Sequence, residues 1–79
     1  MTVTVEISYY PLADDYSEII NRFIKEISTE EITVEVGRMS TLLTRDYDKI
    51  MTVLNRSMKQ VMLDFPSVFT LKISNSCPL

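Results

Sequence analysis

Four side chains that could hold a small molecule alternate along the first stretch of the chain. They share one side of residues 2–10, because successive residues of a β-strand point to opposite faces. The set consists of Thr4, Glu6, Ser8 and Tyr10. A carboxylate and hydroxyl groups can hydrogen-bond the nitrogens of a heterocycle, and a phenol ring can stack on its face. This side is therefore either a site for a ring-bearing ligand or a solvated face of the kind common on antiparallel sheets.

Several catalytic and metal chemistries lack the residues that they need. The chain has no histidine and a single cysteine, Cys77, which excludes the usual soft-ligand metal sites, an internal disulfide and a histidine-activated thiol. An acylphosphatase-like enzyme needs an arginine in a glycine-rich loop after the first strand, whereas residues 11–15 read PLADD. We expect a binding protein that is not an enzyme and uses no metal or cofactor.

Length and charge narrow the possible partners. A chain of 79 residues is too short for two cores, so residues 1–79 are predicted to form a single domain. The net charge of −3 disfavours a phosphate backbone, and we expect no nucleic-acid partner. The N-terminal sequence alternates instead of being continuously apolar, which excludes a secretory signal and a membrane span there. A soluble, cytoplasmic protein is expected.

The hydrophobic periodicity places these residues on six elements. Period-two alternation predicts strands, and apolar residues three and four positions apart predict amphipathic helices. The predicted order is a strand over 2–10, a helix over 15–28, a strand over 32–36, a strand over 40–44, a helix from Asp46 to Phe65 and a strand over 68–76. Asp14 and Asp15 are expected to supply N-cap carboxylates to the first helix, and Asp46 is expected to cap the second. In the first helix the apolar stripe comprises Tyr16, Ile19, Ile20, Phe23, Ile24 and Ile27.

This element order predicts an α+β, ferredoxin-like βαββαβ sandwich. Right-handed crossovers place both helices on one face of an antiparallel sheet whose strand order is 4-1-3-2. The other face is left open. The residues expected on it are Thr4, Glu6, Ser8, Tyr10, Thr33, Glu35, Thr70, Lys72 and Ser74. The facing of the third strand stays undecided, because Leu42 and Leu43 are adjacent and point to opposite sides.

Four short segments, in order and in register, resemble the thiamine-binding YkoF-like family. They are ISYYPLADDY (7–16), MST (39–41), DYD (46–48) and LKISN (71–75). The resemblance implies a ferredoxin-like domain of the single-domain kind, whose subunits pair through their sheets into a homodimer or homotetramer. It also implies non-catalytic binding of thiamine or its hydroxymethylpyrimidine moiety in vitamin uptake or salvage.

The resemblance suggests which residues meet this ligand. Ser8 and Tyr10 on the first strand and Ser40 and Thr41 at the start of the third would face the pyrimidine. Glu6 supplies the acid that suits the cationic thiazolium of thiamine, which completes the predicted ligand-binding set. Arg38 departs from the small turn residue expected before Met39, and its guanidinium would repel a cationic ligand unless Glu6 or Glu35 offsets it.

Other functions share the predicted fold. An ACT-like structural or regulatory pairing domain, with another small ligand or none, is the main alternative, because fold alone does not determine function. RNA recognition would require several aromatic residues on the open face together with positive charge, and only Tyr10 meets that requirement. A titration with small molecules separates a vitamin-binding protein from a pairing domain.

Overall fold

A computed structural model describes residues 1–76 and contains four strands and two helices within them. In chain order these are β1 (Thr2–Pro11), α1 (Tyr16–Ile27), β2 (Thr33–Val36), β3 (Thr41–Asp46), α2 (Tyr47–Asp64) and β4 (Ser67–Ser74). The sheet is antiparallel, with the order β2-β3-β1-β4. This is the predicted 4-1-3-2 order read in the other direction. The ferredoxin-like α+β fold is therefore confirmed.

The core lies between one face of the sheet and both helices. Alternate residues of β1 are buried against the apolar stripes of α1 and α2, as their periodicities predict. The buried apolar residues are Val3, Val5, Ile7, Tyr9, Ile19, Phe23, Ile27, Ile32, Leu43, Ile50, Leu54 and Val61. Ser57 is also buried, on the sheet-facing side of α2, where a small side chain allows helix and sheet to approach closely.

The register of β3 settles which of its faces is buried. Leu43 lies opposite Val5 and is fully buried, whereas Leu42 lies opposite Glu6 on the open face. The same pairing puts Glu35 of β2 and Lys72 of β4 on the open face. The residues predicted for that face all lie there, and Leu42, Thr44 and Val68 join them.

The two helices differ in how their N-termini are satisfied. The Asp46 side chain accepts a hydrogen bond from the backbone N–H of Asp48 at 3.2 Å, and so caps α2 as predicted. Asp15 occupies the N-cap position of α1, but its side chain makes no capping hydrogen bond. Its ψ of 42° lies outside the β region that a capping side chain requires. The expectation that Asp14 and Asp15 supply a capping carboxylate is wrong for Asp15.

Asp46 also joins the start of β1 to the start of α2. The ammonium group of Met1 donates to Asp46 Oδ1 at 3.3 Å, and the backbone N–H of Tyr47 donates to the Met1 carbonyl at 2.8 Å. The hydrogen bond from the ammonium group lowers the pKa of the Asp46 carboxyl below its ordinary value.

β4 forms one edge of the sheet and is only partly covered by the helices. Phe69 and Leu71 are half-buried, and Ile73 is 47% exposed although its alternation predicts an inward position. β4 has a neighbouring strand on one side only, so its inward side chains are enclosed less than those of the central strand β1. Neither helix in residues 1–76 has the length and hydropathy needed to cross a bilayer. Cys77 lies outside the described residues.

Candidate functional site

A pocket lies at the end of the sheet where β1 extends beyond β3. β1 pairs with β4 from Thr4 to Pro11, but its pairing with β3 stops at Ile7 opposite Thr41. Within the described chain, residues 8–11 therefore have a strand on one side only. An edge of this kind presents unpaired backbone N–H and C=O groups.

The pocket has a volume of about 660 Å³ and lies between this free edge, α1 and the β2–β3 connection. The three parts of the chain contribute residues 7–11 of β1, Tyr16, Ile20, Asn21, Phe23 and Ile24 of α1, and residues 36–41. Ligand pockets in proteins span roughly 300–1,000 Å³ and are mostly apolar with a few polar groups. The volume and lining of this pocket suit a molecule with one or two rings.

A tight hairpin between β2 and β3 leaves the edge of β1 uncovered. The backbone N–H of Gly37 donates to the Ser40 carbonyl at 2.9 Å, so that Arg38 and Met39 form the tip. A Cβ atom at position 37 would lie 2.9 Å from that same carbonyl oxygen, which explains why glycine is present. The hairpin reverses before it can pair with residues 8–11.

Side chains of β1 hold the hairpin tip in place. Ser8 Oγ donates to the Met39 carbonyl at 3.1 Å, and Ser40 Oγ donates to Glu6 Oε2 at 3.1 Å. Lys72 Nζ lies 3.8 Å from the other carboxylate oxygen of Glu6. Ser8 and Ser40 thus shape the rim of the pocket, and their oxygen lone pairs stay available to a ligand that donates hydrogen bonds.

Aromatic rings form the floor beneath the pocket. Tyr9 stacks on Phe69 with ring centroids 4.3 Å apart and an interplanar angle of 9°, and Phe23 packs against both rings at 5.2 and 5.3 Å. The Tyr9 hydroxyl is held by a 2.9 Å hydrogen bond with Ser67 Oγ. Tyr9 and Phe23 line the pocket and are buried, and the half-buried Phe69 packs against both, so the floor has a fixed shape. Tyr10 and Tyr16, both more than half exposed, stand at the rim.

Four of the five residues predicted to bind a ligand line this pocket. They are Ser8, Tyr10, Ser40 and Thr41; Glu6 does not line it but contacts Ser40. The structure gives the facing of Thr41, which the sequence leaves undecided. Thr41 lies opposite Ile7, points to the helix-covered face and is 7% exposed. The five side chains therefore do not converge on one ring from the open sheet surface, and their contact with a ligand stays a prediction.

The predicted ligand-binding set contains no residue of α1, although this helix forms one side of the pocket. Tyr16, Asn21 and Ile24 line the pocket from the helix, and Arg38 lines it from the hairpin tip. One signal could have found them: the first predicted strand is longer than the third, so its far end must lack a neighbour on that side. The helix that follows this strand then lies next to the gap.

The chemistry available in the pocket is hydrogen bonding and stacking. Its lining residues all fall within the described chain, and Arg38 is the one among them that carries a full charge at neutral pH. They include no carboxylate, lysine or thiol that could act as a general base or nucleophile. Residues 1–76 contain no group of three or more metal-ligating side chains. The lining groups of the pocket can hydrogen-bond and stack on a small molecule.

Solved structures with the same fold include proteins of bacteria and archaea. A proposed thiamine biosynthesis/salvage protein of Thermotoga maritima has a TM-score of 0.85 and 26% identity over 96% of this chain and 85% of its own. A hypothetical protein of Methanocaldococcus jannascii has a TM-score of 0.84 and 26% identity over 96% and 81%. A domain of unknown function from Bacillus cereus, at 23% identity, TM-score 0.80 and coverage of 94% and 75%, shows the fold alone.

Comparison of the sequence with known proteins and family models identifies the family of this chain. No curated protein matches the chain significantly. The family model described as thiamine-binding protein matches residues 5–75, which span every strand and helix of the fold apart from the first residues of β1. The chain therefore belongs to the thiamine-binding protein family.

Proposed function

We propose that this protein binds thiamine or its hydroxymethylpyrimidine moiety without catalysing a reaction, and that it serves vitamin uptake or salvage. The observation that carries the proposal is the pocket between α1, the free edge of β1 and the β2–β3 hairpin. Membership of the thiamine-binding family and the likeness to a proposed thiamine biosynthesis/salvage protein support it. The cytoplasmic location expected from the N-terminal sequence stays a prediction.

The pyrimidine ring matches the groups that the pocket offers. Its amino group donates hydrogen bonds and its two ring nitrogens accept them. Alternate residues within 8–11 turn backbone N–H and C=O groups to the unpaired edge of β1, except that Pro11 has no N–H. The flat face of the ring fits the aromatic side chains of Tyr9, Tyr10 and Tyr16. Backbone groups on a strand hold fixed directions, so they can recognise the ring without a flexible charged side chain.

The lining chemistry supports a non-catalytic role, because no neighbouring base in the lining activates its serines, threonine or tyrosines. Cleavage or transfer at the thiazolium or hydroxymethyl group would need a nucleophile, a general base or a metal. The pocket offers tyrosines, serines, a threonine, an asparagine and Arg38, which are suited to recognition. Binding without turnover is the function that these groups support best.

Calorimetric titration tests the proposal directly. The unmutated protein should bind thiamine or hydroxymethylpyrimidine saturably, with one ligand per chain, because each chain carries one such pocket in its described part. A panel of amino acids serves as the control for an ACT-like regulatory domain. Saturable binding of an amino acid, with no heat from either vitamin compound, would favour that alternative over the proposed function.

We further propose that the chain acts as a homodimer or homotetramer joined through the open sheet face. Tyr10 and Val68 are cross-strand neighbours on that face and are 51% and 48% exposed, in a chain whose small size yields a small core. Light scattering at micromolar concentration should give two or four times the chain mass of 9.1 kDa. Val68→Lys should lower that mass, because it buries charge in the interface.

A matched replacement on the other side of the molecule controls for the added charge. Leu63 lies on α2 and is 76% exposed, so Leu63→Lys should leave the mass unchanged. A mass of one chain for the unmutated protein would contradict the proposed assembly.

A further inference from the structure

Arg38 gives the pocket a positive charge at its mouth. It lies at the tip of the β2–β3 hairpin, lines the pocket and is exposed. Among the ion pairs of residues 1–76, none involves Arg38. A guanidinium in this position is free to interact with whatever occupies the pocket.

Glu6 and Glu35, the carboxylates expected to offset this charge, lie on the open face of the sheet. Glu6 accepts a hydrogen bond from Ser40 Oγ at 3.1 Å, and its other oxygen is 3.8 Å from Lys72 Nζ. Glu35 lies opposite Leu42 on the same face. Neither carboxylate lines the pocket, so Arg38 is the charged side chain among the lining residues although the whole chain carries a net charge of −3.

A guanidinium at the pocket mouth discriminates between ligands that share one pyrimidine ring. The exocyclic CH₂ group of this ring carries a cationic thiazolium in thiamine, a neutral hydroxyl in hydroxymethylpyrimidine, and a charge of about −1.5 to −2 in the phosphate ester of that alcohol at neutral pH. Arginine binds phosphate oxygens through two parallel N–H donors and repels a fixed cation.

We infer that the site prefers the phosphate ester of the pyrimidine alcohol and that Arg38 is the residue that selects it. The inference rests on the proposed function, because it assumes that the pyrimidine ring occupies the pocket. It assigns Arg38 a role in specificity at the exocyclic substituent. The pyrimidine ring itself is recognised by the edge of β1 and by the aromatic side chains.

Titration of the three ligands against matched variants tests this role. In the unmutated protein the phosphate ester should bind about tenfold more tightly than the neutral alcohol, and thiamine should bind most weakly. In Arg38→Gln the ratio of ester to alcohol affinity should fall to near one, and Arg38→Lys should retain part of it because the charge remains. Arg45→Gln removes the same charge at the far end of β3, opposite Val3, and should leave the ratio unchanged.

Ionic strength gives a second readout that a change in pocket shape would not produce. Raising salt from about 0.1 M to about 1 M shortens the Debye length from about 10 Å to about 3 Å. The preference for the ester should shrink with salt in the unmutated protein and be insensitive to salt in Arg38→Gln.

The failures of the inference and of the proposed function are distinguishable. If the neutral alcohol binds and the ester binds no more tightly, or if Arg38→Gln keeps the full ratio, the inference is overturned while the proposed function stands. If neither thiamine nor the neutral alcohol binds, the proposed function fails and the inference, which rests on it, fails with it.

Discussion

Replacing Phe23 by alanine should lower the free energy of unfolding by about 3–5 kcal/mol. Phe23 is 2% exposed and packs against the stacked rings of Tyr9 and Phe69, so truncation leaves a cavity that this rigid cluster cannot close. Urea denaturation with linear extrapolation measures the loss. The same change should also lower ligand affinity, because Phe23 contributes to the pocket wall.

Two further variants keep the test informative if Phe23→Ala fails to fold. Phe23→Leu preserves most of the volume and should cost less than about 1.5 kcal/mol. Ile20→Ala changes the same helix at a half-buried position and should cost less than Phe23→Ala. A loss under about 0.5 kcal/mol for Phe23→Ala would show that α1 buries a different face.

Tyr16→Ala should weaken binding of the pyrimidine compounds by about 1–3 kcal/mol, the effect of removing one aromatic ring from a stacked base. Tyr16 is the first residue of α1, is 56% exposed and lines the pocket, so its removal should leave the core intact. Calorimetry gives the change in affinity, and urea denaturation checks that stability is preserved.

Tyr47→Ala is the matched control for this second prediction. Tyr47 is the first residue of α2 and is 37% exposed, but it does not line the pocket. Its replacement should leave ligand affinity unchanged. Equal losses for the two variants, or no loss for Tyr16→Ala, would place the ligand elsewhere on the molecule.

The fold is predictable because hydrophobic periodicity acts over whole elements. The alternation of Val3, Val5 and Ile7 specifies one buried face of β1, and a register slip of one residue would expose all of them. The capping side chain of Asp46 marks the start of the second helix, and Pro66 marks its end. Several independent local signals agree on the same element order, which determines the topology.

The candidate site is less predictable because it depends on where neighbouring strands stop. The resemblance predicts Ser8, Tyr10 and Ser40 at a ligand site; they line the pocket, and their contact with a ligand stays a prediction. The facing of Thr41 is not predictable from the sequence, because it depends on the pairing of Thr41 with Ile7. No local pattern in the third strand encodes that register.

The contribution of α1 to the pocket is not predictable from the sequence for a related reason. Tyr16 and Ile24 belong to the apolar stripe of α1, and a stripe residue is ordinarily assigned to the core. They reach the pocket because the hairpin at Gly37 reverses early and leaves a gap beside β1. The gap depends on β1, α1 and the β2–β3 hairpin together, so the periodicity of any one element does not predict it.

The account depends most directly on a calorimetric titration of the unmutated protein with thiamine and with hydroxymethylpyrimidine. It predicts saturable binding of at least one of them with one ligand per chain, and loss of that binding on filling the pocket with Asn21→Trp, since Asn21 is an exposed residue of its wall. Absence of binding by both compounds, or binding that Asn21→Trp leaves untouched while the protein stays folded, would contradict the proposed site.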